Sequence, residues 1–278
     1  MSRAVVVPFL AAVLTASVAS AVPTNWTQGP AQVDLGANVA RIDLDAGYAF
    51  AGAADTRRLL QEMGNTVGNS EVGMVTPTAE DQDWIVIFEY EQAGYVKDDD
   101  KDEIDKDAIL ESYQKGTEEA NKARKERGIP GLHVTGWFEE PHYDAQSHNL
   151  VWALRAQEDG GREVVNYNVR LLGREGFMSV TLVDDPAKLA VSKPHVERLL
   201  STFAYKKGKS YAEWVSGDKV AEYGLVALVA GGAGAAAAKA GLFASLGKVI
   251  AKGGKAIVLL LIGLGAGLKK LFTRSEPA

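Results

Sequence analysis

The sequence predicts an α+β fold, a mainly antiparallel sheet with flanking helices, followed by a C-terminal transmembrane helix or helical hairpin. Three observations carry this expectation. Four strand-like runs at 132–139, 149–156, 162–172 and 177–183 are separated by YDAQSH, EDGG and GREG, short stretches of turn chemistry whose lengths suit antiparallel hairpins. Helix-like patterns stand before and after those runs, an order that fits helices covering a sheet. From residue 219 onward, two glycine- and alanine-rich apolar blocks replace the globular pattern.

Taken in order, the N-terminus places Arg3 before an apolar stretch that runs to Val18, followed by Ala19-Ser20-Ala21. This is the layout of a secretory signal, with cleavage expected after Ala21. The apolar run is too short to span a bilayer, which takes ~20 residues. Asn25-Trp26-Thr27 matches a glycosylation sequon, which matters only in a eukaryotic secretory pathway. Residues 31–35 and 39–44 alternate as short strands, and 48–50 leads into a helix over 53–63 that stops at Gly64-Asn65. Two more strands follow at 71–76 and 84–90. The unbroken apolar run Trp84-Ile85-Val86-Ile87-Phe88 marks the second as central and buried.

The acidic cluster Asp98, Asp99, Asp100, Asp102, Glu103, Asp105 and Asp107 invites a calcium reading. A twelve-residue calcium loop begun at Asp98 puts Glu103 where glycine is required and Ile109 where the closing glutamate belongs, so the pattern fails. The cluster reads instead as the start of a long helix, its acids complementing the macrodipole as Lys122, Arg124, Lys125 and Arg127 do at the other end. Gly128 and Pro130 end it. Ile109, Tyr113, Gly116, Ala120 and Ala123 give it one mildly apolar face for packing on the sheet. After the hairpins, a helix over 186–202 and a short tail with Tyr211 and Trp214 complete the domain.

Composition narrows the function classes. The chain has no cysteine, which removes disulfides, thiolate metal sites, Cys nucleophiles and a lipid attachment point together. From Lys219 onward, eight basic residues oppose only Glu222 and Glu276, a net of +6. With −6 overall and Arg3 the only charge before Val22, residues 22–218 carry −13, which repels phosphate backbones and argues against nucleic-acid binding. The expected organisation is a signal at 1–21, an acidic extracytoplasmic α+β domain at 22–218 and a membrane anchor with basic flanks at 219–278. In that anchor, 223–247 is long enough to cross a bilayer with Lys239 snorkelling, and 256–268 is a shorter block bracketed by lysines. Gly263 and Gly267 form a G-x-x-x-G spacing suited to helix pairing, within a hairpin or between chains as a homo-oligomer. One or two spans both fit, since lysines flank both sides of the second block.

Candidate chemistry is sparse. His133, His142 and His148 fall near Glu139, Glu140 and Asp144, the residue types of a zinc or acid–base site, yet without HExxH spacing. Strand alternation puts His133, Thr135, Trp137 and Glu139 on one face. Residues 68–73, Gly-Asn-Ser-Glu-Val-Gly, have one residue too many for a nucleophile elbow, and neither a Walker A nor a dinucleotide fingerprint occurs. No catalytic residue, metal ligand or cofactor is assigned. The expected partners are the lipid bilayer and an envelope protein. The alternatives are an envelope hydrolase or metal-dependent enzyme using the three histidines, or an oligomerising membrane segment regulated by the exported domain.

The run Gly136-Trp137-Phe138-Glu139-Glu140-Pro141-His142-Tyr143-Asp144, continuing to Asn149-Leu150-Val151-Trp152-Ala153, resembles a known group. So do Ala54-Asp55-Thr56-Arg57, Gly94-Tyr95-Val96, Asn166-Tyr167-Asn168-Val169-Arg170 and residues 218–224. The chain is similar in these segments to bacterial membrane-anchored proteins built around the domain of unknown function numbered 2167. The resemblance implies an envelope protein with a signal and C-terminal membrane segments, and it brings no activity, cofactor or catalytic residue. Together with the export signal, the acidic domain, the glycine-rich anchor and the lack of a catalytic motif, the expectation is a binding or assembly module tethered to a bacterial membrane, the inner one, with its main domain periplasmic.

Overall fold

The computed structural model describes residues 26–230 except 64, 66, 80 and 127. The expected signal segment, the second apolar block, and Gly263 with Gly267 lie outside the described residues, as do Gly64, Arg127 and the side chain of Ala123. In chain order the elements are strands β1 (Thr27–Gln28), β2 (Ala31–Leu35), β3 (Ala40–Leu44) and β4 (Tyr48–Gly52), helix α1 (Ala53–Glu62), then strands β5 (Glu71–Pro77) and β6 (Ile85–Glu91). Helix α2 (Lys106–Glu126) precedes strands β7 (Leu132–Asp144), β8 (Asn149–Glu158), β9 (Glu163–Leu172) and β10 (Phe177–Asp184). Helix α3 (Leu189–Ser201), strand β11 (Ala204–Tyr205) and the short helix α4 (Leu225–Val229) follow.

Eight strands form one antiparallel sheet in the order β1-β4-β5-β6-β10-β9-β8-β7, and β11-β3-β2 form a second, small sheet. As the apolar run at 84–88 predicts, β6 is interior to the large sheet. Ile85, Val86, Ile87 and Phe88 are all fully buried on its two faces, each such side chain contributing ~1.5–3 kcal/mol by leaving water. Val86, Phe88, Val180, Leu182, Tyr167 and Val169 point to one face, where the small sheet and α3 cover them. On the opposite face, α1 covers Met74, Ile85, Ile87 and Val183. At the far end of that face α2 and α4 cover Leu150, Trp152, Leu154 and Leu172.

Asp105 starts α2 by accepting the N–H groups of Asp107 and Ala108 at 3.1 and 3.0 Å, an N-cap that satisfies otherwise unpaired donors. The buried face of α2 runs through Ile109, Tyr113 and Thr117, and then Asn121 bonds both the N–H and the C=O of Leu132. Ala120, expected on that face, is exposed. The expected alternation along β7 also gives way. Register shifts at Val134/Gly136 and Trp137/Glu139 turn Trp137 over. Its ring meets Tyr113 edge-on at 6.1 Å and its Nε1 donates to the Lys106 carbonyl, whereas His133 and Thr135 stay exposed.

The packed domain continues past residue 218 into the stretch expected to be anchor. Tyr95 N–H donates to the Lys219 carbonyl and Ala221 N–H to the Tyr95 carbonyl, both at 2.8 Å. Leu225, Leu228 and Val229 are then buried in the core beneath α2. Asp100 caps α4 across 125 residues, accepting the N–H groups of Leu225 and Val226 at 2.8 and 3.2 Å, and the Tyr113 hydroxyl donates to the Val229 carbonyl at 2.5 Å. Among the described residues no helix is long and apolar enough to cross a membrane.

Candidate functional site

A cleft of about 350 Å³ opens at the end of the large sheet where β8 begins and β9 ends. Its apolar wall is Leu171, Leu200, Phe203 and Tyr205; its polar wall is His148, Asn149, Ser210 and Tyr211. Each wall is pinned by the fold. The Tyr205 hydroxyl donates to the Leu171 carbonyl at 2.6 Å and accepts the Met178 N–H at 3.0 Å, which fixes β11 against the sheet. Ser210 and Glu213 form a capping box at the turn Tyr211–Glu213, and the Ser210 hydroxyl and backbone hold the Glu213 carboxyl down to about 2. That turn sets Tyr211 in the cleft, its hydroxyl bonded to the Val96 carbonyl and its ring stacked on Tyr95 at 4.4 Å. Burial pushes the Tyr211 hydroxyl far up, so it stays protonated.

His148 occupies the β7–β8 turn with a left-handed backbone, φ +54°, unusual for a residue other than glycine but tolerated by His. Its ring packs on Tyr211 at 4.4 Å and its Nδ1 lies 3.0 Å from the Tyr143 hydroxyl. The Tyr143 hydroxyl donates to Asp98 at 3.0 Å. With its one proton given to Asp98, the Tyr143 oxygen can only accept from His148. This places a proton on Nδ1, and in the neutral ring it leaves Nε2 with a lone pair, on a ring that lines the cleft. Burial, and then the bond to Asp98, raise the Tyr143 hydroxyl strongly, so the relay keeps its proton order. Neither serine in the cleft is poised as a nucleophile, since Ser147 donates to Asp144 and Ser210 to Glu213.

The three histidines singled out in the sequence do not come together. His133 is an exposed bridge from Glu118 (2.7 Å) to Asp159 (2.9 Å), and the bonds to those two carboxylates raise its proton affinity. His142, nine residues further along β7, is exposed beside the Glu140 carbonyl and Glu139. Their partners on β8, Gln157 and Val151, are six residues apart, so at a rise of ~3.3 Å per residue the two histidines stand on the order of 20 Å apart. Among the described residues no group of three or more His, Asp or Glu side chains is arranged to hold a metal. His195, which no sequence pattern marks, pairs with the Tyr48 hydroxyl at 2.6 Å and stacks on Trp84.

A second polar group lies on the helix-covered face of the sheet. Strand register places Glu71, Glu89, Ser179 and Arg170 in one row across β5, β6, β10 and β9. The next rows carry Thr181 with Asn168, whose side chains bond at 3.3 Å, and then Asn166. Arg170 is 4% exposed, and its guanidinium lies 4.7 Å from the centre of the Trp152 ring. Burial pulls the guanidinium below its usual range against the opposing pull of Tyr113, Glu89 and Glu91. Burial pushes the Glu89 carboxyl up to about 7, with Arg170 resisting and Glu71 and Glu91 adding to the rise. Glu71 accepts the Gly68 N–H on one oxygen, and its other oxygen is buried without a partner among the described residues.

No curated protein matches the chain. The solution structure of cyanobacterial PsbP (CyanoP) from Synechocystis sp. PCC 6803 aligns with a TM-score of 0.37 and 9% identity, over 63% of this chain and 91% of that one. A likeness that loose assigns neither topology nor function. Residues 27–265, most of the chain and all the resembling segments noted above, match the family described as "Protein of unknown function (DUF2167)", and the chain belongs to that family.

Proposed function

We propose that the protein is a membrane-tethered binding module of the bacterial envelope, whose cleft takes a small ligand with an apolar body and a hydrogen-bond-donating head. The observation that carries the ligand class is the division of the cleft. Leu200, Phe203 and Tyr205 offer an apolar wall, and opposite them His148 is held by Tyr143 and Asp98 with its Nε2 free to accept. Binding is favoured over acyl transfer because both serine hydroxyls in the cleft are committed to carboxylates. The tether rests on the signal-like N-terminus and on the glycine-rich apolar sequence that follows Ala230, including the block at 256–268.

The test is native mass spectrometry of the detergent-solubilised full-length protein. A co-purifying small molecule is expected in the wild type, lost when Leu200→Trp fills the cleft and weakened by His148→Ala. A bound species that survives the filled cleft, or none in any preparation, refutes the cleft reading. Recovery of the protein from membranes with carbonate alone, without detergent, refutes the integral tether.

A further inference from the structure

We infer that the gap between Glu89 and Arg170, above Ser179, is a binding subsite for the carboxylate of a small ligand. Neighbouring strands run ~4.8 Å apart, so the backbones of β6 and β9 stand roughly 10 Å from one another, with only the short Ser179 side chain of β10 between them. Glu89 and Arg170 attract each other across that distance without a hydrogen bond. A guanidinium carries five N–H donors in a planar fork. Among the described residues Arg170 uses one of them, on the adjacent Val169 carbonyl at 3.3 Å. Trp152 closes one flat side of the group. With one donor on a carbonyl the guanidinium still presents a planar fork, and the complement of a flat two-pronged donor is a carboxylate.

The rest of the row fits the same occupant. Ser179 is buried, 6% exposed, in the row between the two charged side chains. It can donate beside the guanidinium. Glu89 in its neutral form offers a further O–H from the other side of the gap. A cation is the poorer fit, because Arg170 repels it.

Binding in the gap is therefore coupled to the protonation of Glu89. The groups around that carboxyl are Glu71 from β5, Glu91 on its own strand, Ser179 from β10 and Arg170 from β9, with the Ser70 hydroxyl bonded to it. From the helices, Tyr113 of α2 acts on Arg170 and Arg57 of α1 bonds the Glu71 carbonyl. Ionised Glu89 repels a ligand carboxylate, so affinity falls as pH rises through the range in which Glu89 loses its proton.

The experiment is a titration of the full-length protein in micelles with sodium acetate, against sodium chloride at equal ionic strength. It is read by thermal shift and by tryptophan fluorescence, since Trp152 lies against the guanidinium. Below neutral pH a saturable response to acetate is expected, absent with chloride and weakening as the solution becomes alkaline. Arg170→Lys lowers the affinity by at least about tenfold, because a point charge does not reproduce the fork. Glu89→Gln keeps acetate binding but makes it independent of pH. Ser179→Val fills the gap and abolishes binding without removing a charge, so the test stands even if the arginine variant does not fold. No saturable acetate response in the folded wild type overturns the proposal, as does a response that Ser179→Val leaves intact.

Discussion

Replacing Glu89 by glutamine removes one ionisation and little else, so it isolates what that carboxyl does to folding. The ordinary carboxyl value of 4.5 rises to about 7 in the folded protein. The sign is the reverse of a salt-bridged carboxylate. Between those two values the folded protein holds a proton that the unfolded chain has released, so stability falls as pH rises through that window and the full loss is in place above it. At ~1.4 kcal/mol for each pH unit the rise corresponds to about 3 kcal/mol, and the partly open position of Glu89 brings the expectation to about 2–3 kcal/mol. Urea denaturation of wild type and Glu89→Gln, followed by tryptophan fluorescence from about pH 4.5 to 8, checks it. The variant is expected to match wild type at the acidic end and to exceed it by that margin at the alkaline end. A difference that stays constant with pH refutes the reasoning, because a packing effect of the amide would not titrate.

Substitutions at three further positions test how α4 and the segment before it are held. Tyr113→Phe strands the buried Val229 carbonyl and is expected to cost about 1–3 kcal/mol, with the amides of residues 225–229 exchanging hydrogen faster than the strand amides. Asp100→Ala leaves the Leu225 and Val226 N–H groups uncapped at a cost of about 1 kcal/mol, while Asp100→Asn retains most of the cap; thermal denaturation ranks the two. Gly94→Ala meets both a positive φ of +101° and the Lys219 carbonyl oxygen 2.8 Å from the new Cβ. A loss of about 1–3 kcal/mol is expected in the same assay.

What was legible in the sequence followed from local periodicity. Strands with one covered face alternate, and turns such as EDGG need residues of known chemistry, so β7 to β10 and their antiparallel pairing could be read directly. The central position of β6 followed from a run that is apolar on both faces. The small sheet could not be read, because β11 reaches β3 from over 160 residues away and two residues carry no pattern. Bulges in β7 broke the period that was used to group His133 with Trp137. Of the three candidate histidines only His148 reaches the cleft, since its partners Asp98, Tyr143 and Tyr211 come from three separate segments. The acids read as macrodipole complements have individual duties: Asp98 accepts from Tyr143, Asp100 caps α4 and Asp105 caps α2. The Glu89 row did leave a signal. Glu89 and Glu91 at period two in IVIFEYE, and Asn166, Asn168 and Arg170 at period two in a strand buried on both sides, mark a polar stripe on an otherwise apolar face.

The built-in position of α4 sets how the domain responds to what is attached to it. A slack linker lets a domain tumble and absorbs a pull by straightening. Here the last described turn is wedged under α2, and the strand-like contact of residues 219–221 with Tyr95 precedes it. A force or twist applied beyond Ala230 is therefore delivered straight to Asp100, Tyr113 and Tyr95. Tyr95 stacks on Tyr211, which lines the cleft. Load on the C-terminal side and the shape of the cleft thus share one mechanical path, only a few side chains long.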